Sequence, residues 1–319
     1  MIKTGSFPKV SIIIPTFNRL DLLIKAIESA LAQTYPNFEV IVVSDNTDKE
    51  LIRQLNQSLD TYKTNEKFVF IQHEINKGGS GARNTGIKHA TGKYVTFLDD
   101  DDYYVPERIE IMMQYMLENN NTYDAIISSM QRIDKQGKLI NIDENMARGT
   151  DFKSFALDGN IYTGMILIKK EFIDKIGGFD NIPRFQDKLL MLKFFKMGGK
   201  ALLLKDKLHF MLEHFDERIT FKDPKKGRLS HKTIYNFIKT EKSIFSKKEW
   251  KQIKYSYYYG LASVSAQSNL FDRIICFRNS LIALYYFNKK SRLSMLKLYF
   301  RCITSAKFSN GVKKILNID

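Results

Sequence analysis

Residues 93–102 read Lys93-Tyr94-Val95-Thr96-Phe97-Leu98-Asp99-Asp100-Asp101-Asp102. A β-branched and aromatic run that stops on four carboxylates has the pattern of a buried strand opening into a polar loop. Taken alone, an acidic run is a solvated turn. Against a buried strand, however, four adjacent aspartates repel one another and their charged forms are penalised by burial. A divalent cation removes that cost, and oxygen-only ligands at this density suit Mg2+ or Mn2+. Mg2+ is commonly held by one or two carboxylates plus substrate phosphates, so the run also points to a phosphorylated ligand. With the chain extended through the run, Asp99 and Asp101 face one side and Asp100 and Asp102 the other.

Upstream, strands and helices alternate. Val10–Ile14 is a β-branched run ending at Pro15, and residues 20–33 place Leu22, Leu23, Ala26, Ile27, Ala30 and Leu31 at helical spacing, with Asn18 or Asp21 near the start. A second strand, Glu39–Val43, ends at Ser44-Asp45-Asn46, and a helix through Leu51, Ile52 and Leu55 leads to a third strand at 67–72. Asn76-Lys77 opens a glycine-rich turn, Gly78–Gly81, and a helix spans Ala82–Ala90. Repeated β-α-β alternation specifies an α/β fold with a mostly parallel sheet and helices on both faces. Ligands of such sheets bind outside the carboxyl ends of the strands. Thr16, Asn18, Asp45, Asn76 and Asp99–Asp102 all fall at those ends, so one sheet edge collects them. The glycine turn is neither GxxxxGK[ST] nor GxGxxG, which excludes the two common phosphate-loop classes. Arg83 has three open roles: a diphosphate contact, a base contact, or an ion pair with a nearby aspartate.

The whole chain bounds these readings. Its 319 residues are 44% hydrophobic, enough apolar mass for a real core, which excludes wholesale disorder. Two cysteines exclude a disulfide framework and a thiolate zinc site, and point to a reducing compartment. MIKTGSFPKV has no apolar leader, and the longest apolar run, 281–287, is too short to span a bilayer. The expected location is therefore cytoplasmic, with attachment to the inner membrane face as an added option. The net charge of +15 is not evenly spread: residues 222–319 hold 21 Lys and Arg against 5 Asp and Glu. We place a boundary there, giving a catalytic domain at 1–221 and a basic, aromatic, helical region at 222–319.

Five ordered motifs carry a family resemblance over residues 8 to about 220: Pro15-Thr16-Phe17-Asn18-Arg19; Val43-Ser44-Asp45-Asn46; Asn76-Lys77-Gly78 with Ala82-Arg83-Asn84; Phe97-Leu98-Asp99-Asp100-Asp101-Asp102 with Pro106; and Ile176-Gly177-Gly178-Phe179-Asp180 with Gln186-Asp187. The chain resembles the GT-A glycosyltransferases of family 2. That resemblance implies a metal-dependent, inverting transfer of a sugar from a nucleotide diphosphosugar, most often a UDP-sugar. It implies that Asp45, with Pro15, Thr16 and Asn18, holds the nucleotide, together with Asn76 and Arg83. Asp99 and Asp101 match the ends of the DxD motif, Asp101 being the metal ligand and Asp100 lying near the ribose or donor sugar. Asp187 matches the catalytic base, and its alternative is an acidic residue favouring a helix N-terminus. Thr163 and Gly164 match the segment beneath the donor sugar, and Phe179, Asp180 and Gln186 border the acceptor. His214 resembles a residue of the family's closing loop, which can approach the metal. His73, His89, His209 and His231 show no ligand spacing. Two departures stand out. The usual Asp-Asp-Gly-Ser turn is shortened to Ser44-Asp45-Asn46-Thr47, and the usual Glu before the base is Gln186, which should lower the pKa of Asp187 relative to a paired carboxylate.

The last third carries apolar residues at helical spacing over 231–245, 247–268, 270–287 and 291–306, with breaks at Ser246, Asn269 and Lys289-Lys290-Ser291. Short loops favour antiparallel helix hairpins. Three readings compete for the region: a lid with a solvated basic face; a surface for anionic membrane, with Trp250, Tyr255, Tyr257, Tyr258 and Tyr259 at the interface; and a nucleic-acid surface, ranked last because no such motif is present. The helices also offer a dimerisation face. The acceptor expected from the resemblance is a glycan or a lipid-linked glycan of bacterial surface-polysaccharide synthesis. The alternatives are a sugar-phosphate nucleotidyltransferase, disfavoured because Pro15–Arg19 lacks glycine, and a catalytically inactive scaffold, disfavoured by Asp101 and Asp187.

Overall fold

The computed structural model describes residues 7–119, 122–134, 136–140, 146–213, 223–265 and 270–286. Strands β1 (Val10–Thr16) and β2 (Phe38–Ser44) are buried along their whole length, as expected for β-branched runs with neighbours on both sides. Helix α1 (Leu20–Leu31) joins them, and α2 (Lys49–Leu59) leads to β3 (Phe68–Gln72), an edge strand that is mostly only half-buried. Then come α3 (Gly78–His89), β4 (Tyr94–Phe97), β5 (Tyr103–Tyr104), α4 (Arg108–Glu118), β6 (Ala125–Ile133) and β7 (Leu139–Ile140). Next are α5 (Phe152–Asp158), β8 (Ile166–Lys169), α6 (Lys170–Ile176), α7 (Gln186–Lys196) and β9 (Ala201–Leu212).

The sheet order is β3-β2-β1-β4-β8-β6-β9-β5, with β7 beside β6. It is parallel from β3 to β4 and mixed beyond, because β8 runs antiparallel to both β4 and β6. Alternation divides the core. Ile12, Ile14, Val40 and Val42 face α1, α2 and α4 through Leu23, Ile27, Leu55 and Met112. Ile13 points the other way, against α3, where Gly86 lets the helix approach so closely that any Cβ would overlap Ile13 Cγ2. Helices therefore cover both faces, as expected. Pro15 sits past the end of the β1–β4 pairing, which stops at Ile13–Phe97, so only β2 flanks it.

Two local expectations are corrected. The glycines at 78–81 are not a turn preceding a helix: they form the first turn of α3 itself, with Gly78 at φ +73°. Asp99–Asp102 is not extended: β4 has ended at Phe97 and the run is a turn closed by Asp102 N–H donating to Asp99 O (3.1 Å). The four carboxylates therefore do not alternate between two sides.

The chain divides into two compact units, Met1–Asn181 with Gln186–Asp216, and Ile182–Phe185 with Glu217–Asp319. The second contains α8 (Pro224–Lys239), α9 (Lys247–Ser265) and α10 (Leu270–Tyr285), packed α8 on α9 and α9 on α10. Helix α8 starts seven residues earlier than its apolar spacing indicated, with Asp223 capping Lys225 N–H and Pro224 in its first turn. Tyr257 stacks on Tyr235 (4.2 Å between ring centres), while Tyr255, Tyr258 and Tyr259 pack on the Ala262–Cys276–Ala283 cluster. These half-buried tyrosines join helices to one another. The fourth helix expected at 291–306, the break at Asn269 and His214 lie outside the described residues. Among the described residues no helix is long and apolar enough to cross a membrane.

Candidate active site

The carboxyl ends of β1, β2 and β4 bring the quoted residues to one edge. After β2, Asp45 is buried and its carboxylate accepts three hydrogen bonds: from Lys77 N–H (2.8 Å) and His73 Nδ1 (2.9 Å) on Oδ1, and from Gly78 N–H (2.6 Å) on Oδ2. His73 Nε2 meets Thr85 Oγ1 at 2.8 Å, so both ring nitrogens are used. Asn76 shapes the same corner, its Nδ2 donating to Asp45 O and its Oδ1 accepting from Gly78 N–H. Asn18 takes the left-handed conformation (φ 57°) that asparagine tolerates, and its N–H donates to Asn46 Oδ1.

The four aspartates part company. Asp99 pairs with Arg83; burial penalises its charge, but the guanidinium outweighs that and holds its pKa below the ordinary value. Asp100 is buried and accepts from Thr16 Oγ1 (2.8 Å) and Phe17 N–H (3.2 Å). Desolvation, then repulsion from Asp101, push its pKa up to about 7. Arg19 bridges Asp100 (3.3 Å) and Asp101. Asp102 turns inward to His209 Nε2 (2.9 Å) and Leu212 N–H (3.1 Å). Burial, then the nearby Arg108 charge, depress the pKa of His209 to about 3, so the ring is neutral.

Arg83 is the hub of the opposite side. Besides Asp99 it donates to Gln186 Oε1 (3.0 Å), beside Asp187 at the start of α7. Desolvation raises the pKa of Asp187 to about 6, and repulsion from Asp99 adds to it, against hydrogen bonding from Lys188 N–H (2.7 Å) and the Arg83 charge. Neighbouring charge, the basis of the expectation for Gln186, is thus the smaller influence on this group.

Below lies the short 3-10 turn Thr163–Met165. Gly164 O accepts from Arg108 Nη2 (2.8 Å), and a Cβ on Gly164 would stand 2.8 Å from the His209 ring. Phe179 does not line an open pocket: it is buried, edge-on to Phe97 (5.1 Å), with its backbone clasped by both ends of the Asn84 amide. Asp180 pairs with Lys193 (2.9 Å). Arg19, His73, Arg108 and His209 went unassigned in the sequence. Their partners lie 12 to 107 positions away, beyond any local spacing rule.

An open carboxylate edge beside parallel strands, a half-buried aspartate in the first turn of α7 and this strand order are the layout of a GT-A fold. The glycosyl transferase family 2 model matches residues 11–177, more than half of the chain, and the chain belongs to that family. The chain spans about a fifth of the length of the first curated relatives it matches. An uncharacterized glycosyltransferase of Rickettsia bellii is 36% identical over 158 residues, covering 50% of this chain but only 21% of that one. The UDP-Glc:alpha-D-GlcNAc-diphosphoundecaprenol beta-1,3-glucosyltransferase WfgD of Escherichia coli is 33% identical over 114 residues, covering 36% of this chain and 43% of WfgD. The crystal structure of S. aureus TarS 1-349 in complex with UDP-GlcNAc shares the fold, with TM-score 0.58 and 19% identity over 87% of this chain and 91% of that one.

Proposed function

We propose that the protein moves a sugar, with inversion, from a nucleotide diphosphosugar of the UDP class to a hydroxyl of a glycan or lipid-linked acceptor in bacterial surface-polysaccharide synthesis. The observation that carries this is Asp187: a partly buried carboxylate raised to about 6, facing the Arg83–Asp99 pair on the ligand edge of the sheet. A base poised near neutral pH suits abstraction of a hydroxyl proton. The complex of TarS with UDP-GlcNAc and the UDP-Glc donor in the name of WfgD support the donor class. The diphosphoundecaprenol acceptor in the latter name supports a lipid-linked acceptor.

In this reading a carboxylate oxygen has about two lone pairs, and Asp45 Oδ2 accepts only one hydrogen bond, leaving a site for a base N–H. Thr16, Pro15 and Asn18 close the other side of the base, and Arg83 reaches the diphosphate when it leaves Asp99. The carboxylates fit a hard divalent cation, Mn2+ or Mg2+. Asp100 and Asp101 already share a cationic partner in Arg19, and all donors are oxygens. Among the described residues no three ligands converge, so Asp101 with the donor phosphates would hold the ion, which neutralises charge on the leaving diphosphate. Asp187 takes the acceptor proton on the opposite face of the anomeric carbon. Gly164 and Thr163 floor the sugar site. Residues 1–221 act as the catalytic domain and residues 222–319 meet the anionic inner face of the membrane.

Calorimetry of UDP with and without Mn2+, on the wild type and Asp101→Ala, tests this. Metal-dependent UDP binding that the substitution abolishes is expected. No binding of UDP under either condition overturns the donor assignment, and binding without turnover of any UDP-sugar returns the inactive-scaffold alternative.

A further inference from the structure

The helical unit holds a cleft of about 540 Å³ that the catalytic reading does not use. Five lysines line it: Lys242, Lys247, Lys248, Lys251 and Lys254. Among the described residues no carboxylate pairs with any of them. Glu249, the one acid within 242–254, accepts from Ser246 N–H (2.8 Å) at the start of α9, and Glu241 contacts Thr240 Oγ1 (3.5 Å). The floor is aromatic. Lys242 Nζ lies 5.8 Å from the Trp250 ring centre and Lys254 Nζ 4.8 Å from that of Tyr286. Beside the cleft, Tyr285 is 75% exposed, with Lys251 Nζ 5.8 Å from its ring, and Ile244 is 41% exposed.

Five ammonium groups around one concavity repel each other, and an anion relieves that repulsion. A free phosphate would satisfy the charge but leave the exposed Ile244 and Tyr285 uncovered. A bilayer surface covers both: anionic headgroups meet the lysines while apolar and aromatic side chains enter the interface. We infer that this cleft is the seat for phosphate headgroups of an anionic membrane, with Ile244 and Tyr285 as the inserting residues. The inference rests on the membrane-facing part of the proposed function and on none of the catalytic part. It moves the contact away from the α9 tyrosines, which pack inside the unit.

The test is co-sedimentation of the full chain with vesicles of phosphatidylcholine alone or with phosphatidylglycerol added. Each lysine near an anionic surface contributes about fivefold in affinity. Lys247→Glu/Lys251→Glu/Lys254→Glu should therefore weaken binding to the mixed vesicles by about a hundredfold. An unchanged helical circular dichroism spectrum and thermal midpoint report that the variant is folded. Ile244→Ser/Tyr285→Ser should weaken binding while leaving its salt dependence intact. Inorganic phosphate at millimolar level should not displace the protein, and displacement by it, or preference for a single-stranded oligonucleotide over vesicles, overturns the inference. Equal binding of the lysine variant and the wild type overturns the cleft but leaves the membrane reading standing. Failure of the wild type to bind the mixed vesicles overturns both.

Discussion

The two units handle charge in opposite ways. In the sheet unit, the acidic run is answered from within: Arg83 takes Asp99, Arg19 takes Asp100 and Asp101, and His209 with Leu212 N–H takes Asp102. In the helical unit, the lysines of the 242–254 stretch have no acidic partner among the described residues. Buried charge must be paired where it stands, whereas exposed charge is free to wait for a partner from outside. The first arrangement makes a site whose groups are tuned by their neighbours. The second makes a surface whose strength is set by the solvent.

The sharpest separation of the two comes from Asp187→Asn. It should lower kcat by about a thousandfold or more, the scale of a lost general base, with UDP affinity and vesicle binding unchanged. Steady-state kinetics beside calorimetry and sedimentation would show whether chemistry and surface are independent. A fall in vesicle binding would break the comparison.

The pH profile comes next in size. A base must be ionised to accept a proton, so activity is lost as pH falls through its pKa. With Asp187 at about 6, log kcat/KM should rise about tenfold per pH unit below that value and level above it. Asp187→Asn should abolish the step in whatever activity remains. Vesicle binding should not show it, since lysines stay charged throughout this range. It should instead fall steeply as salt rises, while urea midpoints of the sheet unit move little, because buried pairs are screened less than exposed charge.

Two stability changes complete the series. Gly86→Ala forces a methyl group onto Ile13 at the α3–β1 contact and should cost about 1–3 kcal/mol in urea unfolding. Asp48→Ala removes the cap that accepts from Glu50 and Leu51 N–H (both 3.0 Å) at the start of α2. It should cost about 1 kcal/mol with kinetics intact, since the position is exposed.

The parallel half of the sheet is legible in the sequence because its strands are short, mainly β-branched and aromatic runs bounded by polar residues. Val10–Ile14, Glu39–Val43 and Tyr94–Phe97 each name themselves, and Thr16, Asp45 and Asp99 mark where they end. The antiparallel half is not, since β9 mixes Lys205, Asp206 and Lys207 into its run and its pairing with β6 is interrupted by register shifts. Motif order assigned Asp45, Asp101 and Asp187 but could not show what each touches. The extended reading of Asp99–Asp102 failed because a turn, not a strand, follows Phe97. Arg19 was visible as a letter in the first motif. Its bridge to Asp100 and Asp101 depends on β1 lying beside β4, a fact of topology that no spacing contains.

His73 has a consequence for how this chain can change over generations. One ring nitrogen is committed to Asp45 and the other to Thr85. No other side chain offers two such groups at opposite ends of a flat five-membered ring. Positions 45, 73 and 85 are therefore bound into a single heritable unit. A drift at one of them strands the other two, and an alignment of relatives should show the three substituting together, as a block, rather than one at a time.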